Sequence, residues 1–161
     1  KSSFSGSQPR ALSAAEAEML LNDYQQNEEP RGLLNFMKGK VIRKNGSLYF
    51  HEGKIKVKIV EDMQKVILPY ENKDVVFGIR SEDIYDKLFV SEAPPENIVR
   101  VICEVFEPMG SEVYLYLNTG NHTFIARVGA HDRPSVNQEM DLVFDMSKVH
   151  FFNPSTEETI V

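Results

Sequence analysis

The chain has 161 residues, of which 42% are hydrophobic and 26% charged, and its formal net charge is −6. This composition is typical of a folded globular protein, and no apolar run approaches the ~18 residues that a membrane-spanning helix requires. The single cysteine, Cys103, excludes an intrachain disulfide bond, and the sequence begins without the apolar stretch of a secretory signal, so we expect a cytoplasmic protein.

The first 32 residues are rich in Ser, Ala, Gln, Asn and Glu, unlike the remainder of the chain. Ser13 and Glu16 have the spacing of a capping box at the start of a helix. Apolar side chains then recur at helical spacing, at Ala17, Leu20, Leu21 and Tyr24. These patterns predict one short helix over residues 14–26, within a linker or partial lead-in segment (1–32) that precedes a β-domain (33–161).

After this segment apolar and polar residues alternate, which is the period of β-strands. Asn45-Gly46 between two apolar runs is a strong hairpin signal. The next strand alternates apolar residues with three lysines, Lys54, Lys56 and Lys58. Further strands are predicted at 66–68, 74–80, 98–107, 112–118, 123–128, 141–146 and 148–152. Many short strands separated by turns predict a mainly all-β fold, most simply an edge-free barrel of the OB type.

The strand at 98–107 has an apolar residue at every second position, namely Val99, Val101, Cys103 and Val105. Side chains two apart lie on the same face of a strand, so these four are expected to share the buried face. Cys103 is therefore predicted to be a small core residue rather than a reactive thiol.

The stretch FGIRSEDI, residues 77–84, predicts a corner in the chain. Gly78 within a strand is typical of a bend or a close approach of another chain segment. Ser81 is a favourable N-cap residue, and acidic Glu82 and Asp83 suit the first turn of a helix. We therefore predict a strand, a turn and a short helix between residues 75 and 87.

The sequence lacks the motifs of common catalytic sites. It contains no G-x-x-x-x-G-K-[ST] phosphate-binding loop, no G-x-G-x-x-G dinucleotide fingerprint and no G-x-S-x-G nucleophile elbow. The histidines are not spaced as zinc ligands; they are His51, His122, His131 and His150. We therefore predict no catalytic, cofactor-binding or metal-binding residue, and no enzymatic activity for this chain by itself.

Residues 38–58 carry a net charge of +6, so the rest of the chain carries −12. A basic segment can mark a nucleic-acid site, and the three lysines could act with Tyr49 and Phe50 as a stacking platform for single strands. Lysines are also typical of the solvent-facing side of a strand. The net negative charge of the whole chain opposes phosphate binding. We therefore expect no nucleic-acid partner and keep this binding class as an alternative.

Five segments in order resemble the C-terminal regulatory region of ATP-binding subunits of maltose-type carbohydrate ABC importers, which has a TOBE/OB-like module. They are NFMKGKV (35–41), VVFGIRSEDI (75–84), VICEVFEPMGSEVYLYL (101–117), FIARV (124–128) and LVFDMSKVHFFNPSTEETI (142–160). The resemblance covers residues 33–161, with Ser81 where that family usually has proline. FSGSQPRAL (4–12) is weakly similar to the LSGGQ signature of ABC ATPases, and chance explains it more simply.

The resemblance implies a non-catalytic regulatory and dimerisation module. Its partners would be a second copy of itself, its own ATPase domain and, through that domain, membrane permease subunits at the inner face of the cell membrane. ATP and magnesium would belong to the full-length protein rather than to this chain. A barrel that senses a small ligand is a further alternative. The candidate interface or regulatory residues are Arg80, Glu82, Asp83, Glu107, Met109, Ser111 and Glu112.

Overall fold

The computed structural model describes residues 34–161, which form two five-stranded antiparallel sheets. The strands in chain order are β1 (Leu34–Lys44), β2 (Ser47–Glu52), β3 (Ile55–Lys58), β4 (Asp74–Arg80), β5 (Ile84–Asp86), β6 (Ile98–Met109), β7 (Glu112–Asn118), β8 (Thr123–Gly129), β9 (Gln138–Phe144) and β10 (His150–Phe152). A single α-helix among these residues, α1 (Glu61–Ile67), follows β3. The predicted helix over 14–26 and the weak signature at 4–12 lie outside the described residues.

The strand order is β10-β4-β1-β2-β3 in the first sheet and β5-β9-β6-β7-β8 in the second. The end strands β5 and β8 of the second sheet lie beside each other, so this sheet is a nearly closed barrel. The predicted all-β, barrel-like fold is therefore confirmed. The chain passes between the sheets twice, because β5 leaves the first sheet after β4 and β10 returns to pair with β4.

Both sheets contribute to one hydrophobic core. Phe50 of β2 stacks on Phe77 of β4 with ring centroids 4.7 Å apart, and Phe77 in turn stacks on Phe144 of β9 at 6.0 Å. Phe151 of β10 packs against the first two rings, so it lies within the same core. Because these rings touch across the two sheets, neither sheet covers its apolar face alone.

The hairpin predicted at Asn45-Gly46 is confirmed, with β1 and β2 paired on either side of the turn. Asn45 and Gly46 both have positive φ, at 51° and 83°, which is the geometry of the tight turn that Asn-Gly favours. In β3 the apolar residues Ile55 and Val57 are buried, while Lys56 and the preceding Lys54 face solvent. The alternation of apolar and charged residues thus predicted correctly which face of this strand is buried.

One predicted strand is wrong. Residues 66–68 form the end of α1 and the start of a 3-10 turn (Leu68–Tyr70), not a strand. Acidic Glu61 and Asp62 in the first turn favour the start of the helix. The Gln64 side chain on the helix also accepts a hydrogen bond from the Leu48 N–H of β2. An apolar run of this length has no clear period, so the sequence pattern could not distinguish a helix from a strand.

A bulge in β6 corrects another prediction. The register against β7 shifts between Cys103 and Val105, so Glu104 is an extra residue. Cys103 is fully buried as predicted, whereas Val105 is turned to solvent because the bulge reverses the alternation. The sequence contains no glycine at this point to signal the bulge.

Candidate functional site

The predicted corner is present and joins the two sheets. β4 ends at Arg80, a single 3-10 turn covers Ser81–Asp83, and β5 begins at Ile84 in the other sheet. A Cβ atom on Gly78 would lie 3.0 Å from the ring of Phe152, so close approach explains this glycine as expected. The corner is therefore a structural crossover whose position was predicted.

The predicted N-cap is wrong. Arg80 occupies the cap position without a side-chain capping bond, and the Ser81 hydroxyl is buried with no hydrogen-bond partner among the described residues. A single 3-10 turn has few free N–H groups to cap, in contrast to a longer helix. Ser81 is thus a buried residue of the turn and does not cap it.

The structure also corrects the expectation that Arg80 and Asp83 lie at the surface. Only 4% of Arg80 and 1% of Asp83 is exposed, whereas Glu82 between them remains partly exposed. The Asp83 carbonyl accepts a hydrogen bond from the Asp145 N–H, and Lys148 Nζ lies 3.9 Å from the Asp83 carboxylate. Asp83 therefore fixes the corner against the connection between β9 and β10.

The other predicted stretch, residues 107–112, forms the tip of the β6–β7 hairpin. Met109 pairs with Glu112 across the turn, and Gly110 has a positive φ of 72°. The Tyr116 hydroxyl donates to Glu107 at 2.8 Å, and this hydrogen bond raises the pKa of the Tyr116 phenol. Met109 and Ser111 are exposed, so the tip presents a mixed apolar and acidic surface.

Arg127 on β8 brings the two predicted stretches together. Its guanidinium lies 3.6 Å from the Glu82 carboxylate and 3.2 Å from that of Glu112. The hairpin tip and the corner are thus connected through two of the seven candidate residues. Sequence reasoning did not single out Arg127, because a cation on a β-strand has no distinctive pattern until its partners from other strands are known.

A cleft of about 400 Å³ opens beside this arginine, and we call it the corner cleft. Its lining includes Glu82, Tyr85, Phe89, Glu112, Arg127 and Asp132. Burial raises the pKa of Asp132 to about 7, and hydrogen bonding to the nearby Asp86 carboxyl acts in the same direction. A carboxyl group that keeps its proton near neutral pH can donate as well as accept hydrogen bonds.

Two polar networks connect the sheets elsewhere. The Asn35 side chain of β1 donates to the Ile125 carbonyl at 2.8 Å and accepts from the Ile125 N–H at 2.9 Å, so it substitutes for a neighbouring strand. Buried Glu52, at the end of β2, contacts both His122 Nδ1 and the Thr119 hydroxyl of the β7–β8 turn. Neither network was predicted, since the hydrogen-bonded residues are 67 to 90 positions apart in the sequence.

The proposed stacking platform for nucleic acid is not formed. Phe50 is fully buried and stacked on Phe77, so its ring is not available to a base. Residues 34–161 contain no cluster of three or more His, Cys, Asp or Glu side chains placed to hold a metal ion. Within the same residues no helix is long and apolar enough to cross a membrane.

Two family models match successive parts of the chain. Residues 34–84 match the MalK OB fold domain, and residues 93–151 match the TOBE domain. The first match ends at the corner, and the second ends within β10, before the C-terminal tail. The boundary between the two matches thus lies just after the corner, at residues 85–92.

Curated relatives are ATP-binding proteins of sugar import systems. The chain is 35% identical over 130 residues to the trehalose/maltose import ATP-binding protein MalK of Thermococcus litoralis. It is 39% identical over 132 residues to the oligosaccharides import ATP-binding protein MsmX of Bacillus subtilis. Each of these two matches covers 79% of this chain and 34% of the relative. The multiple sugar-binding transport ATP-binding protein MsmK of Streptococcus mutans is 37% identical, over 74% of this chain and 32% of its own length. The chain thus spans about a third of these relatives.

A solved structure supports the fold independently. The molybdate-bound crystal structure of the cytoplasmic molybdate-binding protein ModG has a TM-score of 0.53 to this chain and covers 74% of it, with 96% of ModG included. The sequence identity is 16%, so the likeness concerns the fold alone.

Proposed function

We propose that this chain, whose residues 34–84 match the MalK OB fold domain and residues 93–151 the TOBE domain, is the regulatory and dimerisation region of the ATP-binding subunit of a carbohydrate ABC importer. The observation that carries this proposal is the ordered match of both domains together with 35–39% identity to three sugar-import ATP-binding proteins. The region itself is non-catalytic. In the complete subunit it modulates an importer that couples ATP hydrolysis to sugar uptake.

The remaining parts of the importer follow from this assignment. ATP and magnesium would be bound by an ATPase domain of the full-length protein, and permease subunits would be contacted through that domain. The subunit would then lie at the cytoplasmic face of the membrane. The full-length gene tests this assignment: we expect a phosphate-binding loop in the coding sequence and ATP hydrolysis by the purified protein, and the absence of both would refute it.

We assign self-association to the hairpin tip, residues 107–112. Met109 is 49% exposed beside the acidic Glu107, and the side chain of Val105 is also turned to solvent on the same strand. An exposed apolar group with a charged rim is a typical component of a protein interface. The occupant would be a second copy of this chain.

Sedimentation velocity at micromolar concentrations tests this assignment on the 161-residue chain. We expect a concentration-dependent dimer that Met109→Glu dissociates, because a carboxylate would be buried without a partner. Val66→Glu is the matched control, since Val66 is 46% exposed but lies on α1. A chain that remains monomeric at every concentration, or equal effects of the two substitutions, would refute the proposed interface.

A further inference from the structure

We propose that the corner cleft is the docking site for the stretch of this chain that leads into β1, residues 30–33, with the Arg31 guanidinium on its acidic side. The sequence of this stretch is Pro-Arg-Gly-Leu, and it comes directly before the described residues. The contact would fix where the preceding part of the chain leaves the β-domain. It goes beyond the proposed function, because it requires neither an importer nor a dimer.

The chain enters the β-domain beside the cleft. Leu34, the first described residue, pairs with the last residue of β4, which is immediately followed by the corner. The side chain of the next residue, Asn35, hydrogen-bonds both backbone groups of Ile125 on β8. Two positions beyond each of these contacts are Glu82 and Arg127, and both line the cleft.

The distance to the cleft is short enough for residues 30–33. An extended chain advances ~3.3–3.6 Å per residue, so the Arg31 backbone can lie up to ~10 Å from Leu34. Glu82 is two residues beyond the β4 partner of Leu34, which places its backbone within ~13 Å of Leu34. Arg31 and Glu82 can therefore lie within side-chain reach of each other.

The charge of the cleft favours a cationic occupant. Three carboxylates and one guanidinium line it, a sum of −2, and they belong to Glu82, Asp86, Glu112 and Arg127. Asp132 also lines the cleft but adds little charge at neutral pH, because burial raises its pKa to about 7. The side chains of Glu82 and Glu112 are 21% and 45% exposed, so a second guanidinium can approach them from solvent.

The apolar side of the cleft suits the neighbours of Arg31. Tyr85 and Phe89 line this side and are 40% and 63% exposed. Pro30 and Leu33 are apolar and flank the arginine, so they can cover these rings while the guanidinium meets the carboxylates. Covering the rings removes apolar surface from water, which stabilises the docked state.

Covalent attachment favours this occupant over a dissolved cation. A group on a short tether is present at its site at an effective concentration in the millimolar range. Arg31 is the one Lys or Arg among residues 11–37, so it is the cation that this part of the chain supplies. The acidic Glu28 and Glu29 precede Pro30, and for this reason the docked stretch begins at Pro30.

Amide chemical shifts of the ¹⁵N-labelled 161-residue chain test the docking. Arg31→Ala should shift the amides of Phe89 and of residues 128–132, which are remote from Arg31 in sequence and in strand pairing. Arg31→Lys should shift them less, because it keeps the charge but not the planar guanidinium. Arg10→Ala is the matched control, since Arg10 also follows a proline but lies far from β1, and it should leave these amides unmoved.

Trypsin gives a second measurement on the same chain. We expect the Arg31–Gly32 bond to be cut about tenfold more slowly than in a synthetic peptide of residues 22–34, a factor equivalent to ~1.4 kcal/mol of docking. Glu82→Gln should restore much of the peptide's rate, because it removes a carboxylate from the cleft. Glu104→Gln is the matched control, since Glu104 is exposed and does not line the cleft.

The proposal is overturned if Arg31→Ala moves the cleft amides no more than Arg10→Ala does, or if the Arg31–Gly32 bond is cut as fast in the chain as in the peptide. It is also overturned if the effect of Arg31→Ala appears only as the chain concentration rises, because the occupant would then belong to a second copy. Met109→Glu should leave the docking unchanged, so this proposal and the proposed dimer interface fail separately.

Discussion

The carboxyl group of Asp132 shows how much depends on the surroundings of a single residue. Its ordinary pKa is 3.8, and burial beside Asp86 raises it to about 7 in the folded chain. Between these values the folded state binds more protons than the unfolded state. The contribution of the Asp132 carboxyl group to the free energy of unfolding is therefore greatest at low pH and is lost as the pH rises toward about 7.

Asp132→Asn should remove this pH dependence. We expect the variant to gain on the order of 1 kcal/mol in the free energy of unfolding at pH 8 relative to the native chain, and little or nothing at pH 4. Urea unfolding at both pH values measures the difference. Asp141→Asn is the control of opposite sign, because the hydrogen bond from Arg100 lowers the pKa of Asp141. An unchanged pH slope in Asp132→Asn would contradict the burial argument.

Asn35 is the second residue whose role depends on distant groups. Asn35→Ala would leave the part-buried N–H and carbonyl of Ile125 in β8 without their side-chain partner, at a cost of about 1–3 kcal/mol. We expect faster amide hydrogen exchange at Ile125 in particular. Asn118→Ala removes two exposed hydrogen bonds, one donated to Glu104 and one accepted from the Gly120 N–H, and should cost less than about 1 kcal/mol. Similar losses in both variants would argue against strand substitution by Asn35.

At the scale of elements, turns were the most predictable features because their causes are local. Asn45-Gly46 and Gly110 sit at the tips of hairpins where positive φ is needed. Residues 66–68 and the bulge at Glu104 were not predictable, since α1 is held by Gln64 bonds to β2 and the bulge by pairing between β6 and β7. Elements were thus misread where long-range contacts decide the local conformation.

The hairpin tip gives a prediction that isolates backbone conformation. Gly110→Ala should destabilise the chain by about 1 kcal/mol, because an L-residue is strained at a φ of 72°. A Cβ at either Gly110 or Gly129 would meet nothing within 4 Å, but only Gly110 has positive φ. Gly129→Ala is therefore the matched control and should be close to neutral. Thermal unfolding of the two variants side by side checks this difference, and equal midpoints would exclude backbone strain as the cause.

At the scale of the whole molecule, the stacked rings make the two sheets interdependent. Phe77→Ala should cost about 3–5 kcal/mol, since this ring contacts both Phe50 and Phe144. We expect amide protection to fall in β7 of the second sheet as well as in β2 of the first. Phe89→Ala, which truncates an exposed ring, provides the control for losing an aromatic side chain. Loss of protection in the first sheet alone would show that the sheets unfold independently.

The sequence by itself determined the class of fold, most strand positions, the turns and the likeness to sugar-importer regulatory regions. These features rest on residue alternation, on the φ preferences of Asn and Gly, and on motifs in order along the chain. The tertiary structure alone decided which candidate residues are accessible: it buried Arg80 and Asp83 and placed Glu82 beside Glu112 on Arg127. The physical reason is that burial, pairing and pKa depend on groups that other strands contribute, and their placement follows only from how both sheets close on one core.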